Sequence, residues 1–178
     1  FGSLDVQHYL HQGINELEEL AELGALKGIK FYTCYQQIDL ASPQLQPVFE
    51  IAEQYHLPLM FHSGYSYTSM RQFQRVAIAN LITPKDIEKI ASKTTANIII
   101  SHLSKPFLSE LIEVVQRNSQ ISADMSGLID SKYDRQEIPA SIGSIQQYVQ
   151  ECGPDKLLIG TDFPIQTHAD SVAMLEQA

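Results

Sequence analysis

The sequence is short of cysteine, of positive charge and of long apolar runs, and each shortage closes off a class of function. Its two cysteines, Cys34 and Cys152, lie far apart and form no C-x-x-C pair. They read as two reduced thiols of a cytoplasmic protein rather than as metal ligands. Lysine and arginine together number 12 against 21 aspartates and glutamates, for a net charge of -9 at pH 7. Nucleic acid and anionic membrane both demand clustered basic side chains, so neither is expected as a partner. No apolar stretch approaches the ~18 residues of a membrane span. The start carries no signal-peptide pattern. Internal repeats, low-complexity segments and linkers are also missing. What remains is 178 residues, 44% of them hydrophobic, which is enough for one domain over residues 1–178 with a sizeable core. Phe1 to Asp5 reads as the tail of a strand and Ser171 to Ala178 as part of a helix, so the chain is expected to be a piece of a longer one.

Hydrophobic periodicity alternates along the chain. An amphipathic helix covers Asn15 to Leu23, with its start further back between Val6 and Gln12 and a stop at Gly24. A strand follows over Gly28 to Tyr35, with Ile29, Phe31 and Thr33 on one face and Lys30, Tyr32 and Cys34 on the other. Pro47 to Tyr55 is helical. Leu57 to Gly64 is a short buried strand, followed by a polar loop from Tyr65 to about Gln74. Thr83-Pro84 starts a helix that ends near Ser92. Asn97 to Ser104 is a strand apolar on both faces, and Phe107 to Arg117 a helix. Gln120 to Gly127 is a strand with one apolar face. A charged loop over Ser131 to Pro139 and a helix over Ile142 to Cys152 come next, and Lys156 to Pro164 is the last strand. Strands alternating with helices at this spacing make a parallel sheet with helical crossovers.

Three of these strands end in a metal-binding side chain: His62, His102 and Asp162. In a parallel barrel the C-terminal strand ends open on one face, so residues distant in sequence converge there. Imidazole and carboxylate are ligands of zinc and similar divalent ions, and an unligated one beside the metal can move a proton. Taken singly, each has a plainer reading, as a buried core histidine or a helix cap.

The stretches Gly28-Ile-Lys30, Leu59-Met-Phe-His-Ser-Gly64, Ile99-Ile-Ser-His-Leu-Ser104, Asp124-Met-Ser-Gly127 and Gly160-Thr-Asp-Phe-Pro164 resemble the metal-dependent amidohydrolase superfamily. The resemblance is to the amidohydrolase-related branch that includes aminocarboxymuconate-semialdehyde decarboxylase. It implies an α/β TIM (β/α)8 barrel, present here in part from about strand three to strand eight. His62 matches the fifth-strand metal ligand. Asp162 matches the eighth-strand aspartate, both metal ligand and catalytic group. His102 matches the sixth-strand histidine that handles a proton. The implied cofactor is one divalent metal, zinc in the first place, and the implied partner a small-molecule substrate, with a homo-oligomer left open. The expected activity is hydrolysis of an amide, lactone or similar carbonyl compound. Decarboxylation of a small carboxylic acid is the alternative, and a non-catalytic barrel protein lacking the first-strand ligands the next.

One departure stands out. The family's first strand supplies a His-x-His pair, and this sequence has none; His8-Tyr-Leu-His11 has the wrong spacing and reads as a solvated helix face. The pair is expected upstream of Phe1, and without it the segment is expected to fold poorly and bind metal weakly. Lys30 and Tyr32 are assigned to the substrate side, with Lys30 facing a substrate carboxylate or Asp124. A carboxylated Lys30 bridging two metals is a weaker reading, and a metal-free lyase using Lys30 as a Schiff base is a rival one. Arg71 is a further candidate for clamping a carboxylate. His56 reads as surface, and His168 as a loop residue within reach of substrate.

Overall fold

The computed structural model of the protein describes residues 1–33, 35, 36, 39–65 and 81–178. Six parallel strands lie side by side in chain order: β1 (Gly2–Ser3), β2 (Ile29–Phe31), β3 (Leu59–Phe61), β4 (Ile98–Ile100), β5 (Ile121–Asp124) and β6 (Leu157–Leu158). Among the described residues six α-helices alternate with them: α1 (Leu10–Glu22), α2 (Gln46–Gln54), α3 (Pro84–Ala91), α4 (Leu108–Arg117), α5 (Ile138–Cys152) and α6 (His168–Gln177). Sequential parallel strands with a helix at each crossover are the arrangement of a (β/α)8 barrel, here in part, as the sequence leads one to expect.

The register explains which face is which. Ile29, Leu59, Ile98 and Ile121 stand level across the sheet, as do Phe31, Phe61, Ile100 and Ala123. All eight are fully buried under the helices in one continuous core. Phe31 and Phe61 stack at 4.8 Å between ring centroids, adding a face-to-face contact to area burial. The intervening row of Lys30, Met60, Ile99 and Ser122 points to the opposite face and is more polar. That row looks into the barrel, so a side chain two positions beyond it in each strand unit emerges near the barrel mouth.

Local causes set the boundaries, two of them away from the sequence reading. The first helix starts at Leu10, within the expected interval from Val6 to Gln12, because Asp5 Oδ1 accepts the backbone N–H groups of Gln7 and His8 and folds the preceding stretch into a turn. The helix expected from Ile142 begins at Ile138, with Pro139 in its first turn, where a proline gives up no hydrogen bond. The last helix starts at His168, capped by Thr167 Oγ1, which accepts from Asp170 N at 3.1 Å. At α3 the expected start is found: Pro84 opens the helix and Asp86 Oδ2 accepts from Thr83 N at 3.1 Å. Cys34, most of the expected loop from Tyr65 to Gln74 and Arg71 lie outside the described residues. No helix among the described residues is long and apolar enough to cross a membrane.

Beyond β3 and β4 the chain is clasped. Ser63 Oγ donates to Ile82 O at 3.0 Å and lies 2.6 Å from Ser104 Oγ. Gly64 N donates to Ile82 O, and Tyr65 N to Lys105 O. Gly64 has φ +81°, and a Cβ there would sit 2.0 Å from the Lys105 carbonyl oxygen. Backbone cannot yield as a flexible side chain does, so Gly64→Ala is expected to cost roughly 2–4 kcal/mol, combining strained φ with the clash. A urea midpoint equal to that of the unaltered chain would refute it.

Candidate active site

His62 is the residue that follows β3, and its backbone continues the sheet. Its N–H donates to Phe31 O at 3.0 Å, and its carbonyl accepts the Thr33 hydroxyl. The ring is buried. Its Nε2 lies 3.0 Å from Tyr65 O, its Nδ1 lies 3.2 Å from His102 Nε2, and Tyr35 meets it edge-on at 5.4 Å. Burial, then the nearby His102 and Lys30, push its pKa down to about 3, against a small opposing pull from the Tyr65 carbonyl. At neutral pH His62 is therefore an uncharged imidazole, the form that binds a metal.

His102 is not at the end of a strand. β4 stops at Ile100, and residues 101–104 make a tight turn in which His102, Leu103 and Ser104 all have positive φ (65°, 44° and 52°). None of the three is glycine, so the turn is strained, by about 1–3 kcal/mol per residue, and must be held from outside. The hold comes from β5. Asp124, buried at the end of that strand, accepts the His102 N–H at 3.0 Å through Oδ1. The same oxygen accepts Ser126 N at 2.9 Å and Ser126 Oγ at 2.6 Å. His102 Nδ1 in turn lies 2.8 Å from Ser126 O and 3.1 Å from Ser126 Oγ. Asp124, one of the two partners expected for Lys30 beside a substrate carboxylate, orders the β4–β5 turns, and Lys30 Nζ donates to Ser101 Oγ.

Asp162 also departs from the expected strand end. β6 is only two residues long, and Asp162 lies four residues past it with φ +54°. Its carboxylate comes over Gly127, where an added Cβ would be 3.0 Å from both Asp162 Oδ2 and His102 Nδ1. The missing side chain at Gly127 thus allows the aspartate and the histidine to approach one another. His62, His102 and Asp162 line one cleft together with Gly127, Tyr35, Tyr65, Lys105 and Ile165. Its volume of about 20 Å³ is that of a single water molecule or metal ion.

Lys30 and Tyr32 stand beside this cleft rather than on its wall. Lys30 is level with Met60, two positions before His62 in the register. Its ammonium lies 5.8 Å from the Tyr32 ring centroid, and Tyr32 packs edge-on against Tyr35 at 6.1 Å. His8, His56 and His168 are exposed, and His8 lies 3.2 Å from Asp5 rather than pairing with His11. Tyr35, Ser126, Gly127 and Lys105 were not singled out from the sequence. The Asp124-x-Ser126 spacing was the available signal for one of them, since it puts both side chains on one face of a strand.

The donors fit a divalent cation in chemistry: a neutral buried imidazole, a carboxylate and an ion-sized space between them. They do not complete a site, because no group of three or more His, Cys, Asp or Glu among the described residues could hold a metal ion. The hydrogen-bond count points the same way. Ser126 O, His102, His62 and Tyr65 O form a line with three contacts, both of whose ends are carbonyl acceptors. When both rings are neutral they carry two ring protons, and one contact is left acceptor to acceptor, a place where a cation would be favourable.

The amidohydrolase family model matches residues 6–178. The chain belongs to the amidohydrolase family. Members of this family are metal-dependent enzymes. No curated protein sequence matches the chain. Among solved structures, it resembles the 5-carboxyvanillate decarboxylase of Sphingomonas paucimobilis, with 18% identity and a TM-score of 0.64 over 99% of this chain and 59% of the other. A putative 2-pyrone-4,6-dicarboxylic acid hydrolase of Pseudomonas putida has 19% identity and a TM-score of 0.61, over 92% and 59%. An amidohydrolase of Burkholderia multivorans with bound zinc has 12% identity and a TM-score of 0.61, over 90% and 62%. At these identities the likeness is one of fold. This amidohydrolase chain spans about three fifths of the length of the structures it matches.

Proposed function

We propose that this chain carries part of the site of a metal-dependent hydrolase acting on an amide, lactone or similar carbonyl group of a small molecule. The single observation behind this is the convergence of His62, His102 and Asp162 on one ion-sized cleft at the ends of three different strand units. His62 and Asp162 are the residues that would hold the metal, with zinc the first choice, as in the zinc-bound neighbour. Such an ion supplies Lewis acidity toward water and toward a carbonyl oxygen. His102 is placed to take or return a proton on the cleft side. Tyr35 walls the site and keeps bulk water from the face of His62. Lys30 and Tyr32 are assigned to the substrate side, where the ammonium can meet an anionic group. We read residues 1–178 as one domain, working in the cytoplasm, which the negative charge and the unpaired Cys152 support.

A second reading, decarboxylation, is favoured by one specific feature. The Lys30 ammonium stands beside the cleft, bonded to Ser101 Oγ, where it would anchor a carboxylate, and one of the neighbours is a carboxyvanillate decarboxylase. Product analysis separates the two: carbon dioxide release against ring or amide opening.

Metal content tests the assignment itself. After loading with zinc and removal of excess, elemental analysis of His62→Ala and of Asp162→Asn should show metal affinity reduced by about 10–100-fold or more relative to the unaltered protein. Unchanged zinc in both variants would overturn the proposed ligand set.

A further inference from the structure

The line of contacts through the two imidazoles leaves open where each ring carries its proton, and the surroundings of His102 decide it for that ring. We propose that Asp124 and Ser126 are positioning residues that fix His102 with its proton on Nδ1 and keep its Nε2 bare on the side of His62. The catalytic consequence rests on the function proposed above; the ring assignment does not.

A carboxylate only accepts, so the Ser126 hydroxyl, 2.6 Å from Asp124 Oδ1, must donate to it. That hydroxyl then has only lone pairs to offer His102 Nδ1, 3.1 Å away. The other group at Nδ1 is the Ser126 carbonyl at 2.8 Å, again an acceptor. Both neighbours of Nδ1 require a donor, and only the Nδ1–H form satisfies them. Nε2 of a neutral His102 is then an acceptor, bare toward His62 Nδ1 at 3.2 Å. The same Asp124 oxygen also holds the His102 N–H in the left-handed turn, so one atom sets both where the ring starts and which nitrogen bears its proton. Without the carboxylate, the Ser126 hydroxyl is free to turn and donate to Nδ1, and the alternative tautomer becomes accessible. Removing the hydroxyl alone leaves the carbonyl acceptor in place.

The test is ¹⁵N NMR of the ring nitrogens in the metal-free chain at mildly alkaline pH. The expected pattern is a proton-bearing Nδ1 and a bare Nε2 on His102. Asp124→Asn keeps this pattern, because the amide oxygen still accepts from Ser126, and Ser126→Ala keeps it through the carbonyl. Asp124→Ala shifts His102 toward the Nε2–H form. A wild-type His102 protonated on Nε2 overturns the proposal, as does an Asp124→Ala ring pattern identical to wild type. Should Asp124→Ala fail to fold, the wild-type pattern decides alone. In the metal-loaded enzyme Asp124→Ala is expected to lower kcat by about 10–100-fold with KM little changed, and Asp124→Asn to restore most of it. A protein that neither binds metal nor turns over substrate counts against the proposed function, and the ring pattern then remains the measure of this assignment.

Discussion

Replacing His102 by alanine should lower turnover by about 10²- to 10⁴-fold, the usual worth of a positioned proton-transfer group, while leaving the zinc content close to that of the unaltered enzyme. The ring is buried and held at four points: its backbone N–H by Asp124, its Nδ1 by Ser126 O and Oγ, its Nε2 by His62. A residue held this way loses little entropy on reaching the transition state, which is what an efficient proton-transfer group needs. Its Nε2 is already turned to another imidazole, so it is placed to support His62 rather than to replace it as a ligand. Asparagine is the safer companion substitution, because it leaves a polar side chain beside His62 and Ser126. Loss of zinc from both His102 variants would contradict the division of labour between the two histidines.

Acid should destabilise the fold from near pH 6.5 downward, earlier than carboxylates alone would allow. In the unfolded chain His62 takes up a proton near its ordinary value of about 6.5. In the folded chain burial and the neighbouring positive groups hold it off until about pH 3. Between these values the unfolded state binds more protons, so stability falls as pH falls, and above about 6.5 His62 contributes no slope. Carried through to pH 3, the loss is on the order of 5 kcal/mol, with about half of it before pH 4.5. The lowered carboxylates Asp5, Glu53, Asp86, Glu88 and Asp170 act mainly later, because their unfolded forms are half-protonated only near pH 4 to 4.5. The interval from 6.5 to 4.5 therefore belongs chiefly to His62. Urea unfolding at pH 7, 6 and 5 should show this slope in the unaltered chain and a much flatter one in His62→Gln. Parallel slopes in the two proteins would show that His62 is not held neutral.

The chain shows which features a sequence can carry on its surface. The strands Ile98-Ile-Ile100 and Leu59-Met-Phe61 are legible because a strand covered on both faces carries no polar residue. Thr83-Pro84 is legible because capping is a local event. The convergence of His62, His102 and Asp162 could be anticipated from the shared polarity of the barrel mouth. How His102 arrives there could not. Ser101-His-Leu-Ser104 contains no glycine, and nothing in it announces three consecutive left-handed residues. That conformation is supplied by Asp124, 22 residues later, and no local propensity reports a constraint so distant. Asp162 escaped for a similar reason: its place depends on the space left at Gly127, on another strand unit.

The clasp at Gly64 limits how this protein can vary there. Ser63, Gly64 and Tyr65 on one side and Ile82 on the other are fastened together and to the turn that carries His102. Each of these residues answers to partners distant in sequence, so a change at one is felt at the others. Paired changes are tolerated here where single ones are not, and the spacing of the two imidazoles is kept by that mutual constraint.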